Sequence, residues 1–279
     1  MTGADGMTFA TLRFAVDGHV GTCTLHRPQR LNSFTPEMWG ELRALGDALL
    51  ADPGDLRVLI VRGEGRAFSS GIDTSVFATA DGLGGLGGER VAHDDPQVAT
   101  VLTAQRSYLW LAEAPFLTIA AVHGFALGAG LQLALACDLR VVAEGTVLGL
   151  LEHRYGIMPD LTGTQFLPRL VGTGKALELI TTSAEIDAAE AYRLGIAERL
   201  VAPEALDAEV ADLAARIAAQ PPLAVRGAKR AVRAVLDGRS VRDGLLVEAE
   251  GQAVCLRSAD FGEAISAFVE GRPPVYRGE

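Results

Sequence analysis

The chain has 279 residues, enough for one large domain or two. Hydrophobic residues make up 49% of it, ample for a core, and Gly, Pro or charge interrupts every apolar run before it could span a bilayer. The formal charge of −10 argues against broad nucleic-acid binding but leaves room for a small polyanion held by a local basic patch.

In chain order, Phe9 to Val16 and His19 to Leu25 read as strands flanking Asp17-Gly18, a favoured hairpin turn. Thr35-Pro36 reads as a helix start, with Thr as cap and Pro at the first position; Met38, Leu42, Leu45 and Leu49 follow at helical spacing. Val58 to Val61 is a short apolar strand running into Arg62 to Asp73, RGEGRAFSSGID. The stretch from Ala78 to Pro96 contains GLGGLGGER and HDDP and reads as a loop over a site or an inert linker. Gln97 to Ala112 reads as a helix that ends near Pro115.

Pro115 to Ala143, PFLTIAAVHGFALGAGLQLALACDLRVVA, organises the chain. Phe116 to Val122 is a buried strand, Gly124 to Gly130 a turn of small residues, Leu131 to Ala136 a helix, and Asp138 to Ala143 a strand again. A small-residue turn lets a ligand approach the backbone closely. The first amides of the helix that follows have no intrahelical partner and can face developing negative charge. Two such turns, this one and Arg62 to Asp73, can each supply one N–H to a single oxygen. Packing of helix on strand explains either turn taken alone.

After Ala143 the pattern turns helical, with candidates at Thr164 to Leu170, Lys175 to Thr182, Ala188 to Leu194, Glu204 to Ala219, Leu223 to Leu236, Val241 to Leu256 and Phe261 to Glu270. Strands with helices followed by helices alone fit an α/β core with a helical C-terminal region. No internal repeat shows a clear period. The expected division is residues 1–200 as core and 201–279 as a C-terminal helical region used for oligomerisation.

Cys23, Cys137 and Cys255 are odd in number and scattered, which reads as reduced thiols rather than a disulfide frame. The start, MTGADGMTFA, lacks a basic region followed by an apolar core, so a cytoplasmic protein without a secretory signal is expected. The histidines and cysteines show no metal-ligand spacing, and GLGGLGG lacks the Lys-Ser/Thr of a phosphate loop.

Several motifs, in order along nearly the whole chain, resemble the crotonase (enoyl-CoA hydratase/isomerase) superfamily. They are Leu25-His26-Arg27-Pro28 with Leu31-Asn32, Gly65 through Asp73, and Ala121-Val122-His123-Gly124 with Ala126 through Gly130. Cys137 through Arg140, Leu167 through Gly172, and Phe261 through Ala264 with Arg272-Pro273-Pro274 also match. The resemblance implies ββα turns stacked as a spiral with helices at the end, and assembly as a homotrimer or homohexamer. It also implies an acyl-CoA substrate, with coenzyme A entering as part of the substrate and no separate cofactor.

Carried over residue by residue, the resemblance makes the backbone N–H groups of Ile72 and Ala129 the oxyanion hole. Hydratases of the family use two glutamates. One matches Glu152; at the other position this chain has Gln132, which cannot exchange a proton at neutral pH and can only orient a water or a substrate group. Asp160 stands at the spacing of an aspartate that shares proton transfers in the resembling dienoyl-CoA isomerases, and it also reads as a cap for the helix beginning near Thr162. For Glu152 the bland alternative is an ion pair with Arg154 or Arg169. Arg66, Arg27 and Arg30 lie in or beside motifs that line the coenzyme A phosphates. The expected function is proton transfer on a thioester enolate, double-bond isomerisation of an enoyl- or dienoyl-CoA. The alternatives are 2-enoyl-CoA hydration in fatty-acid β-oxidation and a non-catalytic acyl-CoA-binding protein.

Overall fold

A computed structural model of the chain describes residues 1–78 and 91–279. Most of the Gly-rich stretch, read from the sequence as a loop over a site or an inert linker, lies outside the described residues. No described helix is long and apolar enough to cross a membrane.

The chain opens with a hairpin of β1 (Leu12–Asp17) and β2 (Val20–Leu25). The turn is Gly18-His19, one residue later than the sequence implies. Gly18 has a φ of +57° and His19 does not share that sign, the pattern of a type II′ turn. Helix α1 (Pro36–Ala51) starts on Thr35, whose side chain accepts from the Met38 amide. Then come β3 (Val58–Gly63), α2 (Pro96–Glu113), β4 (Leu117–Val122), β5 (Phe125–Leu127), α3 (Ala129–Ala136), β6 (Leu139–Ala143) and β7 (Val147–Gly149). The remaining elements are α4 (Gly163–Val171), α5 (Thr173–Thr181), β8 (Glu185–Asp187), α6 (Ala188–Arg193), β9 (Arg199–Val201) and α7 (Leu206–Ala218). Helices α8 (Pro222–Leu236), α9 (Val241–Arg257) and α10 (Ala259–Glu270) close the chain.

Six strands form one sheet in the order β1-β2-β3-β4-β6-β9, parallel from β2 onward. A second layer holds β5-β7-β8, and isolated bridges Phe34–Ile72 and Ser69–Ala126 extend it. Successive turns of chain therefore give one segment to each layer and then a helix, which is the ββα spiral. The three-residue strands β5, β7, β8 and β9 were not expected, because three residues carry no readable alternation.

The large sheet is covered on both faces, so its strands read as continuous apolar runs. Along β4, Ala120 and Val122 face the main core, while Ile119 and Ala121 face α7. Helix α7 presents Leu206, Val210, Ala214 and Ala218, every fourth residue, to that outer face. Helix α8 is pinned by Lys229, whose ammonium donates to the Leu111 carbonyl (3.2 Å), the Phe116 carbonyl (2.9 Å) and the Asp138 carboxylate (2.7 Å). Desolvation lowers the pKa of Lys229, and the Asp138 charge opposes that shift.

Candidate active site

The two small-residue turns nest against each other. Gly71 has a φ of +97°, and a Cβ there would stand 2.8 Å from the Leu127 carbonyl oxygen. A Cβ on Gly130 would meet the Ser69 carbonyl oxygen at 2.6 Å. Only glycine lets the backbones approach this closely. Ser69 binds β5 on both sides, donating its N–H to Phe125 (2.9 Å) and accepting from the Leu127 N–H (3.0 Å). Phe34 does the same to the first turn. Its N–H donates to the Gly71 carbonyl (2.8 Å), and its carbonyl accepts from the Asp73 N–H (2.9 Å). Peptide groups alternate along an extended segment, so the N–H of Ile72 faces away from Phe34. Ala129 is the first residue of α3, where an amide has no intrahelical acceptor. Among the described residues neither the Ile72 nor the Ala129 amide has an acceptor. Both border one cleft with Gly71, Leu151, Glu152 and Tyr155. Three roomier hollows, about 450–520 Å³, lie elsewhere, around α8 where it packs on α9 and near α4. Chemistry rather than size makes the small cleft the candidate site.

Glu152 opens a 3-10 turn (Glu152–Tyr155) after β7 and is 5% exposed. Its Oε1 accepts from Gln132 Nε2 at 2.8 Å, while its Oε2 is buried with no hydrogen-bond partner among the described residues. A Cβ on Gly128 would lie 3.3 Å from Oε1, so the carboxylate directly borders the turn that carries Ala129. Burial pushes the Glu152 pKa up, and the charge of Asp160 adds to the rise. Neither arginine considered as a partner reaches it. Arg154 pairs with Glu185 at 2.7 Å, and Arg169 stands 4.0 Å from Asp237. Asp160 is partly buried, and desolvation raises its pKa too.

Gln132 is 1% exposed. Its Oε1 accepts from the Leu161 N–H (2.8 Å) and the Gly163 N–H (2.9 Å). Two backbone donors on one end and a carboxylate on the other fix the orientation of this amide. The sequence assigns Gln132 to orienting a water or a substrate group. In the structure its carbonyl and an amide hydrogen are held by protein groups. It also overturns the capping alternative for Asp160: the cap residue of α4 is Thr162, which makes no side-chain cap bond, and Gln132 serves the first amides. The Asp160 backbone carbonyl instead accepts from Gln105 Nε2 on α2 at 2.7 Å.

The three arginines divide. Arg27 turns inward, with Nη2 3.0 Å from Asp73 Oδ2 and Nη1 donating to the Ser33 hydroxyl at 3.3 Å. Asp73 is held down to about 2, first by the Ser75 hydroxyl and then by bonds that include Arg27 and Ser33. Arg30 and Arg66 are exposed. Their segments are tied together by Asn32, whose Nδ2 donates to the Glu64 (2.9 Å) and Ala67 (2.8 Å) carbonyls. Among the described residues no three His, Cys, Asp or Glu side chains gather as a metal set.

Residues 16–279 match the Enoyl-CoA hydratase/isomerase family. The chain belongs to that family. YngF of Bacillus subtilis (strain 168), whose name carries the same hydratase/isomerase label, is 38% identical over 262 residues, covering 93% of this chain and 95% of YngF. The structure of an enoyl-CoA hydratase from Bacillus anthracis superposes with a TM-score of 0.85 at 32% identity, covering 96% of this chain and 100% of the other. A Thermobifida fusca YX protein solved in complex with acetoacetyl-CoA gives a TM-score of 0.78 at 39% identity, covering 88% and 95%.

In this member of the hydratase/isomerase family, the fold brings Ile72, Ala129 and Glu152 to one cleft, with Gln132 buried behind Glu152. The sequence does not reveal the groups that hold them. Leu161 and Gly163 act through backbone amides, which no side-chain pattern marks. Gln105 and Tyr108 share a face of α2 at a spacing of three, but nothing local shows that they reach Asp160 and Ala129.

Proposed function

We propose that this acyl-CoA enzyme moves the double bond of an enoyl- or dienoyl-CoA by way of a thioester enolate. The observation that carries the reading is the asymmetry at Glu152. One oxygen is tied to Gln132, the other is buried with no partner among the described residues, Glu152 lines the same cleft as Ile72 and Ala129, and the position of a second acid holds an amide. The thioester carbonyl oxygen accepts from the Ile72 and Ala129 N–H groups. Glu152 Oε2 takes the proton from the α-carbon of a 3-enoyl-CoA, and the electron pair delocalises onto the thioester oxygen. The same carboxyl group returns the proton to the γ-carbon, leaving the 2-enoyl isomer, so atoms and charge balance with one group. Asp160 serves the far end of a longer, conjugated substrate. Each oxyanion amide is worth roughly 3–4 kcal/mol in such a transition state. Arg66 and Arg30 are the proposed contacts for the coenzyme A phosphates, with Arg27 holding the Asp73 side of the mouth. Coenzyme A enters as part of the substrate, and the proton transfer calls for no prosthetic group.

Hydration of a 2-enoyl-CoA is the second reading, favoured by the hydratase name of the Bacillus anthracis relative. In that reading Glu152 alone activates the water. The deciding experiment assays the purified protein on a 3-enoyl-CoA, a dienoyl-CoA and crotonyl-CoA. Isomerisation is expected to exceed hydration. Vigorous crotonyl-CoA hydration without isomerisation overturns the assignment, and tight binding without turnover of any of the three leaves an acyl-CoA-binding protein. Ala129→Pro then tests the oxyanion hole: the position is the first of α3, where proline suits a helix, so the change removes the donor and spares the element.

A further inference from the structure

We infer that a buried aromatic platform, Phe34, Trp39 and Tyr108, sets the separation and direction of the two oxyanion amides, with Tyr108 as its key positioning residue. The inference rests on the proposed reading for its catalytic consequence, and on geometry alone for its structural one.

The three rings form one unit. Phe34 stacks on Trp39 with centroids 5.8 Å apart, and the edge of Tyr108 meets Phe34 at 5.6 Å. All are 0–1% exposed. Each turn of the site is fastened to this unit by hydrogen bonds. Phe34 holds Gly71 and Asp73 through its own peptide groups, which leaves the Ile72 N–H facing the cleft. The Tyr108 hydroxyl lies 3.0 Å from the Ala129 carbonyl oxygen. Its direction is not a choice. The Trp39 indole N–H, which can only donate, points at the same hydroxyl oxygen at 3.3 Å, so the tyrosine proton is turned onto Ala129. On the other side, the Gly128 N–H donates to the Gly149 carbonyl at 2.8 Å. Ala129 is thus clamped both before and after its own amide.

The arrangement has a reason. Catalysis by an oxyanion hole depends on donors already aimed at the developing charge. A misplacement of about 1 Å can cost on the order of a hundredfold. Ile72 and Ala129 are far apart in sequence, and the bonds of Ser69 to β5 join their turns without touching either amide's own peptide group. Rigid rings whose polar atoms are all engaged add the aim, through the Phe34 peptide groups and the Tyr108 hydroxyl. Tyr108 is deeply buried and near Asp160 and Glu152, and these conditions keep its hydroxyl protonated and donating throughout the working pH range.

Tyr108→Phe removes the hydroxyl and keeps the ring. A crystal structure of the ligand-free variant reads the geometry by itself: the Ala129 amide is expected to swing or to spread over several positions, while Ile72 stays. An Ala129 amide unmoved and as ordered as in the wild type overturns the inference, whatever the protein acts on. Turnover and acetoacetyl-CoA read the consequence. Expected are a roughly tenfold loss in kcat, KM within about twofold, unchanged affinity for coenzyme A and a roughly tenfold smaller fraction of bound acetoacetyl-CoA in its enolate form. Full kcat and full enolate binding in Tyr108→Phe also overturn it. A wild type that neither turns over enoyl-CoA nor binds acetoacetyl-CoA sinks the functional reading, and the crystal comparison still decides the platform. If Tyr108→Phe fails to fold, Trp39→Phe frees the hydroxyl from its donor and is judged by the same two readouts.

Discussion

Gln132 donates its side-chain amide to Glu152 Oε1 at 2.8 Å, and its carbonyl holds the start of α4. A carboxylate in its place would keep the Leu161 and Gly163 amides on one oxygen and set the other against Glu152. Two carboxylates this close cannot both ionise and would share one proton. That pair would hold an acid and a base together, which hydration requires. Gln132→Glu is therefore expected to raise crotonyl-CoA hydration about tenfold or more and to move the acid limb of the remaining isomerisation to higher pH. Progress curves across a pH series check this, and an unchanged hydration rate counts against the pairing.

Glu152→Gln removes the group proposed to carry the proton between the α- and γ-carbons. Isomerisation is expected to fall on the order of 10²–10⁴-fold. Stability should move the other way. The folded pKa of Glu152 is raised above its ordinary value of 4.5, so the native state binds the proton more tightly than the unfolded chain. The contribution of this group is full below the unfolded pKa and is lost as pH rises through the folded one. An amide is spared that loss and can still accept from Gln132. The variant is expected to melt roughly 2–4 °C higher than wild type near neutral pH, with the gap closing toward pH 4. Paired thermal melts at the two pH values test it, and a lower melting temperature at neutral pH would contradict the account.

Asp160→Asn withdraws a negative charge that pushes the Glu152 pKa up. The acid limb of enoyl-CoA isomerisation is expected to move to lower pH, while turnover of the dienoyl substrate falls more than that of the enoyl one. Equal losses on both substrates would remove Asp160 from the chemistry.

Lys229→Met leaves the Asp138 carboxylate and two buried carbonyls without their cation. Breaking one side of a buried pair costs about 3–5 kcal/mol. Denaturant unfolding should show that loss, and a change below about 1 kcal/mol would mean that α8 is anchored elsewhere.

Assembly is expected to follow from the C-terminal helices. Val232 and Val235 on α8, Leu245 and Leu246 on α9, and Phe268 and Val269 on α10 are 57–85% exposed. Large apolar side chains left exposed on consecutive helices favour a partner surface. We propose a homotrimer or homohexamer, and light scattering that shows a clean monomer at micromolar concentration would dispose of it.

The sequence by itself marked the hairpin, the Thr35 cap, the helices from α1 to α10 within a residue or two at most ends, and the two glycine turns. These features are written in local chemistry, as apolar periodicity, capping residues and places where only glycine fits. Ile72, Ala129, Glu152 and the missing second acid entered through the resemblance to the family, because motif spacing survives in the chain order. The sequence could not show β5, β7, β8 or β9, whose three residues each gain strand character only from their neighbours. The fate of Gln132 was equally out of reach. An amide has two ends, and only the folded chain decided that one faces Glu152 and the other the amides of Leu161 and Gly163. The same holds for Tyr108, an unremarked aromatic on a helix until packing against Phe34 and Trp39 turned its hydroxyl onto Ala129. Long-range hydrogen bonds depend on the positions of two segments at once, and a linear pattern carries the position of neither.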